Sequence, residues 1–496
     1  MVLAIVEAVT SSGYFPRNYL LQIGLVILAF WVVRAFSQGK RTTWERDLHA
    51  RKILITGGFT PLGLTLLQAL AQRGAHIIAL SPDPVDSPHV ELIIEALRQT
   101  TKNEHIFAEH CELDCPHSIR DFCTKFLTGE EQRLDAILFV HEYQHIGASA
   151  WLSSALRARR KQEDNRREQG SLATFLITTL LLPALLVAPV ERDIRIINVV
   201  NPFYAAAAGP SFHVPDSSFS SPTKRISSRT ILIEEGTRSL RTIILTRHLQ
   251  RILDALPSAG KAQVPKTEEG QSTVPVVSSK LQKSNIVAVS VSPGISRMDT
   301  VSPLLNANWN VSEGASFRGV LVYLLLQPLL RVFAKTPSSA TQSVLHALFL
   351  PTPFKLAAQS PPQDPDAKLS SATAEPPSTT PQEILKPGAL YSECAVVQLK
   401  VPAPSEEQLE KVKEMKQAES SKKPSSKAKG KAKAKPDPEA DITLEQDDEY
   451  GGETAGRLVW EAYEDALKFW EKTSPPPPQP PPESPEEPEG QEPQKS

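Results

Sequence analysis

From Lys52 to Gly294 the chain repeats one pattern, a short apolar run, then a turn, then a helical stretch. KILITGG reads as a strand, LGLTLLQALAQRGA as an amphipathic helix and HIIALSP as a second strand. HIFAEHCELD, LDAILFVHE, IRIINVVN and NIVAVSVSPG continue the series, with helix-like stretches between them. Apolar strands separated by helices are the signature of a parallel sheet covered on both faces. Right-handed crossovers then point to a doubly wound, mostly parallel α/β sheet.

The start of the chain adds a second constraint. Tyr19 to Val33, YLLQIGLVILAFWVV, is apolar apart from Gln22. With Ala35 and Phe36, and Arg34 free to snorkel, the run approaches the ~20 residues a helix needs to cross a bilayer. Tyr19 and Trp31 fall near its ends, where amphipathic rings prefer to sit. A cleaved signal peptide would be followed by small residues, whereas Arg34, Lys40, Arg41 and Arg46 follow here. This basic flank keeps the rest of the chain in the cytosol. The reading is a single-pass transmembrane helix over 19–36, after a short segment 1–18 and before a basic linker 37–50. The endoplasmic reticulum is the default membrane and the mitochondrial outer membrane the next. A buried hydrophobic helix is the competing reading. A further apolar stretch, Val320 to Phe333, is short and carries Gln327 and Pro328, which argues against a second span.

Composition excludes some classes of function. A formal net charge of -2 makes no case for nucleic acid as a partner. Four cysteines, Cys111, Cys115, Cys123 and Cys394, are too few and too clustered for a disulfide framework. Cys111 and Cys115 lack a second pair to complete a tetrahedral metal site, so reduced thiols and a reducing compartment are expected. Four stretches fall outside the alternating core. These are a polar insertion at 257–283, a Pro/Ser/Thr-rich segment at 360–381, a charged segment at 404–450 and a Pro/Glu-rich tail at 474–496. Their composition predicts disorder. The lysine run KKPSSKAKGKAKAK reads as a solvated linker, with anionic lipid or RNA as the other readings. The PPPPQPPPESPEEPEG tail favours polyproline II and suits an SH3- or WW-type partner, or is inert. Between them, the segment 451–473 has Leu458, Trp460, Tyr463, Leu467 and Trp470 near helical spacing, which predicts a packed helix.

A glycine-rich turn between strand and helix brings backbone amides to a pyrophosphate at the helix N-terminus. Thr56-Gly57-Gly58-Phe59-Thr60-Pro61-Leu62-Gly63 stands at that place. It resembles the TGxxxGxG turn of the short-chain dehydrogenase/reductase family, with Pro61 where the family has its second glycine. Proline removes an amide donor there. Later segments match the family in order. ATFLITTLLLPALL resembles the long helix before the catalytic serine strand, RIINVVN that strand, and SLRTIILTRHLQRIL the helix that follows the catalytic tyrosine and lysine. VAVSVSPGISRMDT resembles the Pro-Gly turn over the nicotinamide. TPSSATQSVLHALFLP, GALYSECAVV and AGRLVWEAYEDALKFW resemble the closing segments of the retinol-dehydrogenase-like branch.

The resemblance covers 51–403 and the helix 451–473. It implies a Rossmann-type body that binds NAD or NADP, with the Trp-rich helix packed back onto it. The implied cofactor-binding residues are Thr56, Gly57, Gly58, Gly63, Asp114 near the adenine, and Pro293 and Gly294 over the nicotinamide. Asp83, after the second strand, is where an acid would receive the ribose hydroxyls of NAD, but Pro82 leaves its direction, and the cofactor preference, open. Val320–Phe333 becomes a substrate-side helix that grazes the membrane, which suits a hydrophobic, lipid-type substrate.

The family reduces carbonyls through a tyrosine acid, a lysine four residues on that lowers its pKa, and a serine and an asparagine. By position, the serine falls at Asn201, the tyrosine at about Glu235, the lysine at Ser239 and the helix asparagine at Gly170. The strand end Asn-Asn-Ala-Gly reads Phe139-Val140-His141-Glu142. All of these differ, so two readings stand. Either the fold is kept as a scaffold or nucleotide sensor without turnover, or substitutes act. Tyr204 is then the candidate acid, with Asn201, His141 and Tyr143 near the cofactor. His141-Glu142-Tyr143-Gln144-His145 also satisfies H-E-x-x-H, which binds zinc only on a helix. Because it begins at a strand end, no metal is expected.

Overall fold

The structure is a computed structural model that describes residues 20–129, 132–149, 157–189, 192–209, 230–259, 284–307, 316–353, 383–401 and 449–474. The stretches read as the Pro/Ser/Thr-rich segment, most of the charged segment and nearly all of the Pro/Glu-rich tail lie outside the described residues. In chain order the main elements are α1 (Leu20–Ser37), β1 (Lys52–Thr56), α2 (Pro61–Ala71), β2 (His76–Ser81), α3 (Pro88–Thr101), β3 (Ile106–His110), α4 (Pro116–Thr128) and β4 (Ala136–Phe139). Then come α5 (Arg157–Leu186), β5 (Ile194–Val199), α6 (Ile231–Ala259), β6 (Ile286–Ser292), α7 (Phe317–Phe333), α8 (Pro337–Phe349), β7 (Leu390–Ser392), β8 (Ala395–Val397) and α9 (Gly452–Thr473). Helix α6 reaches Ala259, so the polar insertion begins later than the sequence suggests.

The strands form one sheet in the order β3-β2-β1-β4-β5-β6-β7-β8, parallel throughout except for the antiparallel edge strand β8. The order reverses direction at β1, which is the doubly wound arrangement with its switch point beside the glycine-rich turn. Successive side chains of a strand point to opposite faces. Thus Leu54 joins a core layer with Ile137, Leu176, Leu240 and Tyr463, while Ile53 and Ile55 join Leu66, Val344 and Tyr391 on the other face. Three helices open on a Ser or Thr cap followed by proline. Thr60 accepts from the Gly63 amide (3.1 Å), Ser87 from Val90 (3.4 Å) and Thr336 from Ser339 (3.3 Å).

One buried arginine joins β5 to the end of α8. Arg195 donates to the carbonyls of Ala347 (2.8 Å), Leu348 and Leu350 (2.6 Å) and pairs with Asp193 (2.8 Å). These are carbonyls that a helix C-terminus leaves without an internal partner.

The closing helix α9 lies on α4, α5 and α6. The rings of Trp460 and Tyr463 sit 5.0 and 5.6 Å from that of Phe175. Arg251 on α6 donates to the carbonyl of Gly452 (2.9 Å). Just ahead of α9, the Tyr450 hydroxyl accepts from the Leu390 amide (3.0 Å) and donates to the Val397 carbonyl (2.9 Å), clamping the β7–β8 hairpin. A Cβ at Gly451 would lie 3.5 Å from Val401, so the chain that leaves the body at Val401 re-enters beside it.

Gln162–Leu186 is long and apolar enough to cross a membrane, yet most of it is buried as a core helix. Helix α1 differs. From Gln22 to Arg34 its side chains are exposed on every side of the helix.

Candidate active site

The glycine turn runs from the end of β1 into α2. Gly57 adopts φ +67°, and a Cβ there would come within 2.6 Å of the His141 amide nitrogen, so this crossing of β1 and β4 admits only glycine. A Cβ on Gly63 would sit 2.2 Å from the Gly57 carbonyl, so the helix start presses on the turn in the same way. The turn therefore has the close packing that its sequence predicts. The fate of its amide donors is different.

Pro61 supplies no N–H. Thr60 takes the Gly63 amide, and the Asp299 carboxylate takes the Leu62 amide at 3.2 Å. Asp299 is fully buried and also accepts from the Ser296 hydroxyl (3.0 Å). Burial raises its pKa, and the Leu62 and Ser296 hydrogen bonds oppose the rise. A carboxylate oxygen thus already stands at the helix N-terminus, where a phosphate oxygen would bind. A phosphate oxygen at the Leu62 amide would have to displace this carboxylate.

The segment after β4 closes the same space from the other side. Tyr143, 1% exposed, donates from its hydroxyl to the carbonyl of Gly294 (2.7 Å), in the turn expected to cover the nicotinamide. The His145 amide donates to the Asp299 carbonyl (3.0 Å). Pro293 is buried, and its carbonyl accepts from Lys335 (2.9 Å). The turn at 293–299 therefore lies directly on the strand ends.

His141 and Glu142 stand in a single 3-10 turn, so the H-E-x-x-H spacing does not set its two histidines on one helix face. The His141 ring faces the Gly170 carbonyl with Nε2 (3.0 Å) and the Thr56 hydroxyl with Nδ1 (2.7 Å). A carbonyl only accepts, so Nε2 carries the proton and Nδ1 accepts from Thr56. Burial lowers the pKa of this ring and keeps it neutral. Asp114, exposed, is close enough for its charge to act on it.

Glu235, where the resemblance puts the acid, lies in a buried ion network, and Ser239, where it puts the lysine, is buried outside that network. Glu235, fully buried, accepts from Arg167 Nε (3.0 Å) and from Arg238. Arg167 also donates to the Ile146 carbonyl (2.6 Å), and Arg238 to the Glu142 carbonyl (2.7 Å). The Glu142 carboxylate accepts from the hydroxyls of Thr174 and Thr242 (2.6 Å for the latter). Arg167 also holds Asp164 (2.5 Å) and approaches Glu234 (3.7 Å), so these guanidinium groups are met by carboxylates, which is the condition for holding such charges out of water. At the serine position, Asn201 donates to the Tyr143 carbonyl (3.1 Å) and accepts from the Phe203 amide (3.1 Å), which leaves it a structural cap.

Tyr204 opens a four-residue helix and packs in the core layer opposite Tyr143. Burial raises its pKa, opposed by a hydrogen bond to Ser392. That is the wrong direction for a proton donor, since the family's lysine lowers it. Asp83 is exposed at the end of β2, its amide held by Ser81 Oγ (3.1 Å). The structure thus brings Thr56 and Gly57 against His141, and joins Gly294 to the neighbouring Tyr143, while Asp83 is exposed at the end of β2 and Tyr204 lies beside Ser392. Asp299, Arg167 and Arg238 were not singled out from the sequence, and Glu142 was met there only as part of the H-E-x-x-H spacing. Asp299 sat five residues past the Pro-Gly turn, and Arg167 was hidden in a basic run that reads as solvated.

His145, 2% exposed, has its pKa lowered to about 4 by burial, and so does His248. The unfolded chain takes up these protons near ~6.5, so stability is intact above that value and lost as pH falls toward 4. The loss should reach about 3 kcal/mol for His145 alone. Tm is expected to fall between pH 7 and 4.5, less steeply in His145→Phe. Superimposable curves for the two proteins would exclude His145 as a source.

No family model matches the chain. It is 26% identical to an uncharacterized oxidoreductase of Saccharomyces cerevisiae over 331 residues, 66% of this chain and 74% of that protein. It is 24% identical to retinol dehydrogenase 13 of Homo sapiens over 257 residues, 51% of this chain and 70% of that protein. A solved short chain dehydrogenase from Shigella flexneri, complexed with NADP, is 13% identical, with a TM-score of 0.35, over 60% of this chain and 93% of that one. The chain is thus similar in sequence to oxidoreductases and retinol dehydrogenases at about a quarter identity, and its doubly wound, mostly parallel sheet is of the Rossmann type.

Proposed function

We propose that this protein is a membrane-anchored, short-chain-dehydrogenase-like scaffold that does not perform the family's reduction. The observation that carries the reading is Glu235. At the position of the proton-donating tyrosine stands a carboxylate held by Arg167 and Arg238, with no lysine four residues on. A carboxylate so placed is no substitute for the lysine-activated tyrosine and would repel a developing alkoxide. The resemblance implies NAD or NADP, and the Asp299 contact on Leu62 opposes both. The exposed apolar helix α1 supports the anchor, with the body facing the cytosol, in the endoplasmic reticulum or, as the next choice, the mitochondrial outer membrane. On this reading the Lys-rich stretch and the Pro-rich tail, the latter through an SH3- or WW-type partner, make the functional contacts.

A second reading, a reductase for a lipid-type carbonyl, draws on Ile295 and Met298, which are exposed beside the Pro293–Gly294 turn. The two separate in one experiment. NADH and NADPH are titrated into the full chain in vesicles, with a retinoid aldehyde and a long-chain ketone as carbonyl probes. The scaffold reading expects no saturable binding at millimolar cofactor and no cofactor oxidation. Affinity should appear first in Asp299→Ala, which frees the Leu62 amide. Turnover by the unaltered chain would sink the scaffold reading, and its persistence in Tyr204→Phe would dismiss Tyr204 as the acid.

A further inference from the structure

Helix α7 has two dissimilar sides. On one, Gly319 is buried so tightly that a Cβ would lie 2.0 Å from the Leu305 carbonyl, and Val320, Tyr323 and Leu326 pack on Leu305 and Ala307. On the other, Phe317, Leu321, Leu324, Leu325, Leu329 and Phe333 are exposed, with Leu325 71% and Phe317 82% accessible. These positions recur at helical spacing, so they form one continuous stripe rather than scattered apolar residues. Arg318 and Arg331 stand near its two ends, about 20 Å apart along the helix axis.

The end of α7 is tied to the end of α1. Arg34 donates to the Arg331 carbonyl, Ser37 Oγ to the Val332 carbonyl and Gln38 Nε2 to the Ala334 carbonyl (3.2 Å). Gln38 Oε1 in turn accepts from the amide and hydroxyl of Thr336 (3.2 Å each). Helix α1 is exposed and apolar around its circumference, at Leu25, Val26, Ile27, Leu28, Phe30 and Trp31 among others. A one-sided protein groove would leave half of such a helix uncovered, whereas hydrocarbon covers all of it.

We propose that the outward face of α7 is itself a membrane surface, immersed in the lipid of the same leaflet that α1 enters, so that the body rests on the bilayer through two joined helices. Helix α7 lies against the body instead of crossing, and its two arginines reach back to the headgroups. The proposal rests on α1 being the anchor, and the test reads the two helices separately.

The full chain is reconstituted in phosphatidylcholine vesicles, with a nitroxide on a single introduced cysteine at Val26, Leu325 or Leu92. Leu92, 70% exposed on α3, is the aqueous control. Cys115→Ser provides the background, because Cys111, Cys123 and Cys394 are buried with thiol pKa values pushed up to about 12, 12 and 11. Collisions with oxygen should exceed those with a water-soluble nickel chelate at Val26 and Leu325, and the ratio should reverse at Leu92. A lipid signature at Val26 with an aqueous one at Leu325 overturns the proposal and leaves the anchor standing. Aqueous signatures at both positions remove the anchor, and the proposal with it. A Leu325 label shielded from both reagents means that a second protein surface covers α7, which also overturns it.

Discussion

Arg195→Ala is expected to lower stability by about 3–5 kcal/mol, among the largest losses available to one substitution in this chain. The guanidinium satisfies the last carbonyls of α8 and the buried Asp193 at once, and alanine leaves all of them without that donor. Arg46, which also holds Asp193 (2.9 Å), keeps that carboxylate from being stranded altogether. Arg195→Lys should recover only part of the loss, because a single ammonium cannot present the planar fork that reaches three carbonyls and a carboxylate. Thermal unfolding followed by circular dichroism measures both variants. A Tm for Arg195→Ala within a degree of the parent would show that α8 holds its end without help from β5.

Glu235→Ala should cost a comparable ~3–5 kcal/mol, because it takes from the buried Arg238 the carboxylate it pairs with and leaves Arg167 only the more exposed Asp164 and Glu234. Glu235→Gln keeps the shape and loses the charge, so it should fall between alanine and the parent. The informative comparison is the joint replacement of Glu235, Arg167 and Arg238 by apolar residues of similar volume. Continuous apolar packing commonly matches or exceeds a buried ion network in stability, so the triple variant should be more stable than Glu235→Ala alone. If removing Glu235 leaves the denaturant midpoint unmoved, the network is not a structural replacement for the family's catalytic group.

Much of the sheet was legible because its signal is local. Ile53, Leu54 and Ile55, or Val287 to Val291, are β-branched or aliphatic runs that fit only a doubly covered strand, and Ser or Thr followed by proline marks several helix starts. The antiparallel turn of β8 was not legible, since three-residue strands carry no period. The site was legible only as a set of departures. Glu235 in place of a tyrosine shows that something is missing, and Arg238 is its i,i+3 neighbour on α6, but Arg167 comes from α5 and only the packing of α5 on α6 brings it in. Asp299 shows the same limit. Its 237-residue separation from Leu62 gives no pattern to read.

The meeting of Val401 and Gly451 bears on how the chain has been free to change. The 47 residues 402–448, with the lysine run among them, depart and return through almost the same point. The entropy of closing such a loop grows only with the logarithm of its length, so halving or doubling it alters stability by about 0.6 kcal/mol. The closeness of Val401 and Gly451 therefore sets almost no length for the sequence between them. Lineages can lengthen, shorten or rewrite it while α9 stays in register, held by Tyr450 on one side and Arg251 on the other.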